Sequence, residues 1–250
     1  MAEITEKLPL FIAGLNVVTS PSGKNINLTK GANGEYEAKM AINDLLFNKD
    51  DVVDMGLPSG TLWAKHNIGA TKETDYGWYF AWGERMGYEN ANARNTALGR
   101  SDGFTQAAYD TTSAAAITTN LTANNDVAHL LLGGKWKTPS KTQMMELFNS
   151  NYTDYIDANG NVISGDNKMI TFNGIRGLLL RSKTNKNILF FPASGICGNS
   201  IGERGVRGDY WSSTFYSSSQ AYNLYFASSV GYPQSKSARS TGRSIRPVQQ

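Results

Sequence analysis

The last forty residues, from Asp209-Tyr-Trp-Ser-Ser-Thr-Phe215 to Arg246-Pro-Val248, interleave two kinds of side chain. Trp211, Leu224, Phe226, Ile245 and Val248 are large and packable, while Tyr, Ser, Gly and Ala fill the positions between them. Neighbouring residues of a strand point to opposite faces. A segment of this kind therefore folds as strands that bury the first set and turn about half of the second outward. Tyr gives large, rigid contact area at low entropic cost, and Ser and Gly adapt and hydrogen-bond, as in antibody paratopes. The pattern predicts a displayed binding surface rather than a reaction centre. The plainer alternative is an ordinary aromatic-rich strand pair.

A chain of 250 residues can bury a substantial core in one domain, or in one domain with a small appendage. Its 11% aromatic content and 25 glycines lean toward a loop-rich, mixed or mainly β fold. The net charge of +3 is too small to argue for nucleic acid. Six Arg or Lys against two acids in 201–250 leave about +4 there, predicting a mildly basic C-terminal face. A single cysteine, Cys197, excludes an intrachain disulfide framework and a cysteine-based zinc site. The start lacks the basic and apolar regions of a signal peptide, and no stretch approaches the roughly 20 apolar residues of a membrane span. The chain reads as made in the cytoplasm, or as one from which a signal was removed.

Residues 1–50 differ from the rest. Strand-like stretches at 10–18 and 36–42 are separated by turn signals, predicting a β-rich appendage for attachment or assembly. Residues 51–250 read as the main domain. Strands are expected at 61–64, 77–83, 171–175, 177–181 and 188–192, with Asn185-Lys-Asn187 as a hairpin turn. Residues 88–125 read as a long surface excursion with at most one short helix. Ser140 and Gln143 form a capping-box pattern before a helix that carries Met144, Leu147 and Phe148 on one face. The Met144-Met145 pair reads as helix core.

Several residues invite a chemical reading that their surroundings do not support. His66 and His129 lie in no zinc motif and read as structural. Cys197 is flanked by no His or Lys and reads as a small buried residue in a tight turn. Gly195, Gly198, Gly202 and Gly205 match neither a dinucleotide fingerprint nor a P-loop. Asp50, Asp51 and Asp54 lack the alternating ligands of a calcium loop and read as a solvated linker. Of Trp63, Trp78, Trp82, Trp136 and Trp211, at least four are expected in the core rather than in a stacking platform.

Val53-Asp-Met-Gly-Leu-Pro-Ser-Gly-Thr-Leu-Trp-Ala64, Asn67-Ile-Gly-Ala70 and Asp75-Tyr-Gly-Trp-Tyr-Phe-Ala-Trp-Gly-Glu84 form an ordered series of motifs. Asp126-Val-Ala-His129, Gly133-Gly-Lys-Trp-Lys-Thr-Pro-Ser140 and Phe190-Phe-Pro-Ala-Ser-Gly195 continue it, and Gly208-Asp-Tyr-Trp-Ser-Ser-Thr214, Ala221-Tyr-Asn-Leu224 and Arg239-x-x-Gly242-x-Ser-Ile-Arg-Pro-Val248 complete it. Over roughly 52–250 the chain resembles a gut-bacterial and phage family with a C-type-lectin-like fold, related to formylglycine-generating-enzyme-type domains. Its C-terminal block is similar to the variable region of target proteins of diversity-generating retroelements, in which a reverse transcriptase miscopies template adenines. The resemblance implies an α+β domain of that type with its variable region at about 208–248. It implies diversified, ligand-contacting positions at Asp209, Tyr210, Phe215, Tyr216, Ser217, Ser218, Ser219, Tyr225, Ala227, Ser229, Gly231, Tyr232, Ser235, Ser237, Ala238, Ser240, Thr241 and Arg243. Trp211, Leu224, Phe226, Ile245 and Val248 would be the fixed frame.

The chain lacks the Glu-Pro-Asn, Gln-Pro-Asp and Trp-Asn-Asp motifs of calcium-dependent lectins, so sugar binding through calcium is not implied. A single cysteine argues against the formylglycine-generating activity, which needs a pair. The expectation is a non-enzymatic receptor-recognition protein without cofactor or metal. Its ligand would be a protein or glycan on a cell surface, with no nucleic acid, no membrane insertion, and a homo-oligomer allowed. The missing signal tilts it toward a phage virion over a bacterial cell surface. A structural or adhesin module of the same fold, without diversification, is the alternative.

Overall fold

A computed structural model describes residues 51–99, 101–228 and 231–250 and, upstream of them, three short strands. These are β1 (Val17–Thr19), β2 (Asn25–Lys30) and β3 (Tyr36–Ala38), paired antiparallel in that order. The expected stretches at 10–18 and 36–42 overlap β1 and β3, and their remainders lie outside the described residues. β2 was not expected, because Ile26 and Leu28 are its only apolar residues.

From Val52 onward the protein is α+β, with mostly antiparallel strands and few helices. β4 (Val52–Asp54) and β5 (Leu62–Ala64) form a hairpin around Gly56-Leu-Pro-Ser-Gly60. The final strand, Val248–Gln249, lies between β5 and β6 (Trp136–Lys137), with Val248 opposite both Trp63 and Lys137. The two ends of this part of the chain are thereby tied into one sheet. β7 (Thr153–Tyr155) and β8 (Ile170–Phe172) flank β9 (Ile175–Ser182), which also pairs with β10 (Ile188–Pro192) through the expected hairpin turn. Leu178 and Leu180 enter one apolar cluster and Leu179 another, so β9 is buried on both faces. A short hairpin of β11 (Ile196–Cys197) and β12 (Ile201–Gly202) precedes the last sheet. That sheet is β13 (Gly208–Phe215), β14 (Gln220–Phe226) and β15 (Tyr232–Ala238), with β14 central and β15 at the edge.

The helix Lys141–Leu147 begins as expected: the Ser140 hydroxyl accepts from the Gln143 backbone N–H, and Gln143 Oε1 accepts from the Ser140 N–H. Met144 and Leu147 are buried, but Met145 is 38% exposed, so only one member of the methionine pair is core. Met145 is next to a buried position on a helix whose opposite side faces water.

Two other expectations are corrected. Residues 77–83 form no strand: Tyr79 bridges Tyr88 and Phe80 bridges Arg243, while the Trp82 N–H reaches the Arg239 carbonyl. Each backbone group finds a different partner, so no continuous ladder forms. Residues 88–125 are not a surface excursion. They form helices Ala91–Leu98 and Gln106–Tyr109 and a 3-10 turn at Ser113–Ala116. Asn90 and Thr105 cap the two helices with their side chains. Ala91, Phe104, Tyr109 and Ala114 pack with Tyr79, Tyr88 and Cys197. The small side chains of Ala91 and Ala114 let these elements pack against the aromatic rings.

Candidate functional site

The site expected from sequence is the β13-β14-β15 sheet and its loops. β14 alternates regularly against β13, pairing Tyr210 with Leu224, Trp211 with Asn223 and Asp209 with Tyr225. Tyr210, Leu224 and Phe226 therefore face one way, into the cluster containing Met144, Leu147 and Phe191. Trp211 and Ala221 face the other way, against Phe80, Trp82 and Ile245. Gly208 is required at the sheet's start because a Cβ there would lie 2.1 Å from the Phe226 ring. The frame residues are buried as expected: Trp211, Leu224, Phe226, Ile245 and Val248 are at most 3% exposed.

β15 contains one extra residue between Tyr232 and Ser235, where its register against β14 shifts. Pro233 lies in that bulge, on the edge strand where a missing N–H is tolerated. The bulge sets Tyr232 opposite Tyr225, and the two rings stack with centroids 6.5 Å apart. The Arg207 guanidinium lies 5.3 Å from the Tyr225 centroid. On the opposite side of β14, Tyr222 pairs with Lys236, and Tyr216 from the β13–β14 turn meets Tyr222 edge-on at 5.3 Å. Lys141 Nζ lies 4.3 Å from the Tyr222 ring centre, and Lys236 Nζ 4.5 Å from that of Tyr216. Neither lysine has a carboxylate within 4 Å among the described residues.

Of the expected contact positions, Tyr216, Ser218, Ser219, Tyr232 and Ala238 are exposed. Phe215, Ser217, Tyr225, Ala227, Ser235, Ser237 and Thr241 are half-buried, and Ser229 lies outside the described residues. Five others are not on the surface. Asp209 and Tyr210 are fully buried, Arg243 is 4% and Ser240 6% exposed, and Gly231 is also buried. Tyr210 is interior because it is packed between Phe191 and Phe226, and its hydroxyl donates to the Pro192 carbonyl at 2.5 Å. Gly231 adjoins Phe148, whose ring would be 2.6 Å from an added Cβ. Ser240 follows Arg239 in the turn that brings the chain back against Phe80 and Trp82.

Asp209 and Arg243 form a bonded floor beneath the tyrosines. Asp209 Oδ1 accepts from Asn223 Nδ2 at 2.8 Å and Arg243 Nε at 3.1 Å, and Oδ2 accepts from Arg207 Nε at 2.6 Å. Arg207 also pairs with Glu203 at 2.8 Å. Arg243 lies over the Trp211 ring at 4.4 Å. Burial pushes its guanidinium pKa down, and Asp209 works against that shift. A buried charge needs such a partner.

The basic C-terminal face is also corrected, since Arg239, Arg243 and Arg246 are all buried. Arg239 donates to the carbonyls of Ser218 at 3.0 Å and Ala114 at 2.6 Å and lies over Trp82 at 4.6 Å. It holds the tip of the β13–β14 turn against the preceding helices. Arg246 donates to Asn67 Oδ1 at 2.8 Å and to the Lys65 carbonyl at 2.8 Å, and burial lowers its pKa to about 10.

Sequence reasoning missed Tyr222, Gln234, Lys236 and Lys141. The strand period in β15, where Tyr232, Gln234, Lys236 and Ala238 are exposed in turn, could have found two of them. Nothing local could have linked Lys141 to Tyr222.

The residues read as chemically inert occupy structural positions. His66 is 5% exposed, with Nε2 3.3 Å from Asp51 Oδ2, and desolvation lowers its pKa. His129 Nδ1 contacts the Trp136 carbonyl at 3.2 Å. Cys197 is fully buried, which raises its thiol pKa to about 11. Four tryptophans are buried and Trp78 is half-buried. Asp54 Oδ1 accepts from the Gly56 N–H, and Asp50 lies outside the described residues. No described helix is long and apolar enough to cross a membrane. No protein-family model, curated protein or solved structure matches this chain.

Proposed function

We propose that the protein is a non-enzymatic receptor-recognition protein, with a C-type-lectin-like fold and a C-terminal variable region diversified by a retroelement. The observation that carries this reading is the division within 208–248. The five frame residues are at most 3% exposed, while Tyr216 and Tyr232 are 45% and 49% exposed. Side chains that can be exchanged must be those on which the fold does not depend, and this segment separates the two sets. The pairing of Val248 with Trp63 supports the C-type-lectin-like reading, since it closes the domain end to end.

The displayed positions would be Phe215, Tyr216, Ser217, Ser218, Ser219, Tyr225, Ala227, Tyr232, Ser235, Ser237, Ala238 and Thr241, joined by Tyr222, Gln234 and Lys236. Asp209, Tyr210, Gly231, Ser240 and Arg243 move to the frame. The ligand would be a macromolecule on a cell surface. Tyrosines held by a neighbouring ring or cation would be its energetic anchors, at about 2 kcal/mol or more each on truncation for true hot spots.

Sequencing the gene from sister isolates tests the reading. Substitutions are expected to concentrate at the displayed positions and to spare Trp211, Leu224, Phe226, Ile245 and Val248. An even spread along 52–250 would remove the case for diversification and leave a structural or adhesin module.

A further inference from the structure

Away from the β13-β14-β15 sheet, the loop 69–78, Ile201 and Arg204, the turn at Asn173 and the start of the helix Ala91–Leu98 enclose a cleft of about 510 Å3. That volume is within the range of small-molecule pockets. Two features of the loop shape it. Gly69 has φ +77°, and a Cβ there would lie 2.3 Å from the Trp78 indole, so only glycine allows this approach. Asp75 Oδ2 accepts from the Thr71 N–H, the Thr71 hydroxyl and the Lys72 N–H, which fixes the loop's turn.

The lining is chemically mixed and electrically balanced. Lys72 pairs with Asp75 at 3.9 Å, which leaves Arg204 and Glu89 as the opposed charges, and half-buried Tyr76 and Trp78 supply aromatic carbon. Arg204 lies over Tyr76 at 4.7 Å and donates from Nε to the Tyr79 hydroxyl at 2.8 Å. Its two terminal nitrogens have no protein acceptor among the described residues. Glu89 has neither an ion pair nor a hydrogen bond there. Asn90 uses its carbonyl oxygen to cap Ala93 and keeps its amide protons. The cleft thus offers unused donors on Arg204 and Asn90 and an unused acceptor on Glu89, beside aromatic carbon.

An anion entering the cleft would meet the Glu89 carboxylate, and a cation would meet the Arg204 guanidinium. A hydroxyl both donates and accepts and suits either. The C–H face of a sugar ring in turn suits tyrosine and tryptophan. We propose that this cleft is a binding site for a short neutral saccharide, separate from the sheet and independent of what the sheet recognises.

Titration with neutral methyl glycosides and their disaccharides, followed by tryptophan fluorescence and calorimetry, tests this, with glucuronate and glucosamine as charged counterparts. At least one neutral sugar is expected to bind and to perturb Trp78. Glu89→Ala, at an exposed position, is expected to weaken that binding about tenfold or more, the usual loss for a hydrogen bond to a charged group. Arg204→Gln is expected to weaken it similarly, with unchanged circular dichroism as the check on folding. The proposal falls if no neutral sugar binds at tens of millimolar, or if only the charged sugars bind. It also falls if Glu89→Ala binds as the parent does, or if Tyr232→Ala abolishes binding in its place, which would locate the sugar on the sheet.

Discussion

Truncating Trp211 to alanine probes the division between frame and display most directly. Trp211 is 1% exposed, packs with Phe80, Trp82 and Ile245, and donates from Nε1 to the Phe80 carbonyl at 2.8 Å. Removing a buried Trp side chain costs about 3–5 kcal/mol in transfer and cavity terms. The Phe80 carbonyl keeps its bond from the Arg243 N–H, so losing the indole donor adds only about 1 kcal/mol. Arg243 loses the ring under its guanidinium, about another 1 kcal/mol. Since these terms overlap, the expected loss is about 4–6 kcal/mol, comparable with the whole stability of many domains. The matched control is Tyr216→Ala, at a 45% exposed ring in a turn, for which less than about 1 kcal/mol is expected. Urea unfolding followed by circular dichroism measures both, and comparable slopes would license the comparison. At about 2–4 °C per kcal/mol for a domain of this size, the Trp211 variant should melt about 10–20 °C lower. The reasoning is refuted if Trp211→Ala costs under about 2 kcal/mol, or if Tyr216→Ala costs as much.

Two further outcomes follow from buried titratable groups. Cys197, with its thiol pKa raised to about 11, should resist a thiol-specific disulfide reagent in the native protein and react at once, one equivalent per chain, in urea. Rapid native labelling would reopen the nucleophile reading. His66 is held below the usual imidazole value of about 6.5, chiefly by desolvation, so the unfolded chain takes up the proton first. Stability should be full above about pH 6.5 and decline as pH falls from there toward the folded pKa, and His66→Gln should flatten that decline. A gain in stability on mild acidification, or an unchanged slope in His66→Gln, would contradict this.

How much of the structure was legible in the sequence depended on how local each signal was. The capping box at Ser140, the hairpin at Asn185-Lys-Asn187 and the burial of Trp211, Leu224 and Phe226 rest on neighbours in the chain or on strand period, and they emerge as expected. Residues 88–125 were misread because polar composition hides what packs them. Arg94 is buried with Glu84 accepting from it at 2.6 Å, the Gly103 carbonyl accepting from its other terminal nitrogen and Phe104 beneath its guanidinium, and none of these partners can be inferred from spacing. Asp209 and Arg243 were misread for the same reason. The resemblance implies that each is displayed, yet the two neutralise one another in the interior, where Asn223 also donates to Asp209. Charged residues are almost never fully buried unless paired, and pairing across 34 residues leaves no trace in a one-dimensional pattern.

The buried centre of the sheet also restricts where its tyrosines can be displayed. β14 has no free face at its centre: Leu224 and Phe226 enter one cluster, and Ala221 and Asn223 lie on the other side. Room for aromatic pairs lies where pairing is interrupted, at the β13–β14 turn and at the β15 bulge beside Pro233, and further outward side chains follow along the edge strand at Gln234, Lys236 and Ala238. Tyr216 with Tyr222 occupies the first place and Tyr225 with Tyr232 the second. Each pair is steadied by cations, Lys141 and Lys236 in one case and Arg207 in the other. Arg207 is in turn held by Asp209 and Glu203, so the second pair rests on a charge network that the frame already satisfies. The turn, the bulge and the edge strand, rather than the buried centre of the sheet, therefore decide where a ligand can be met.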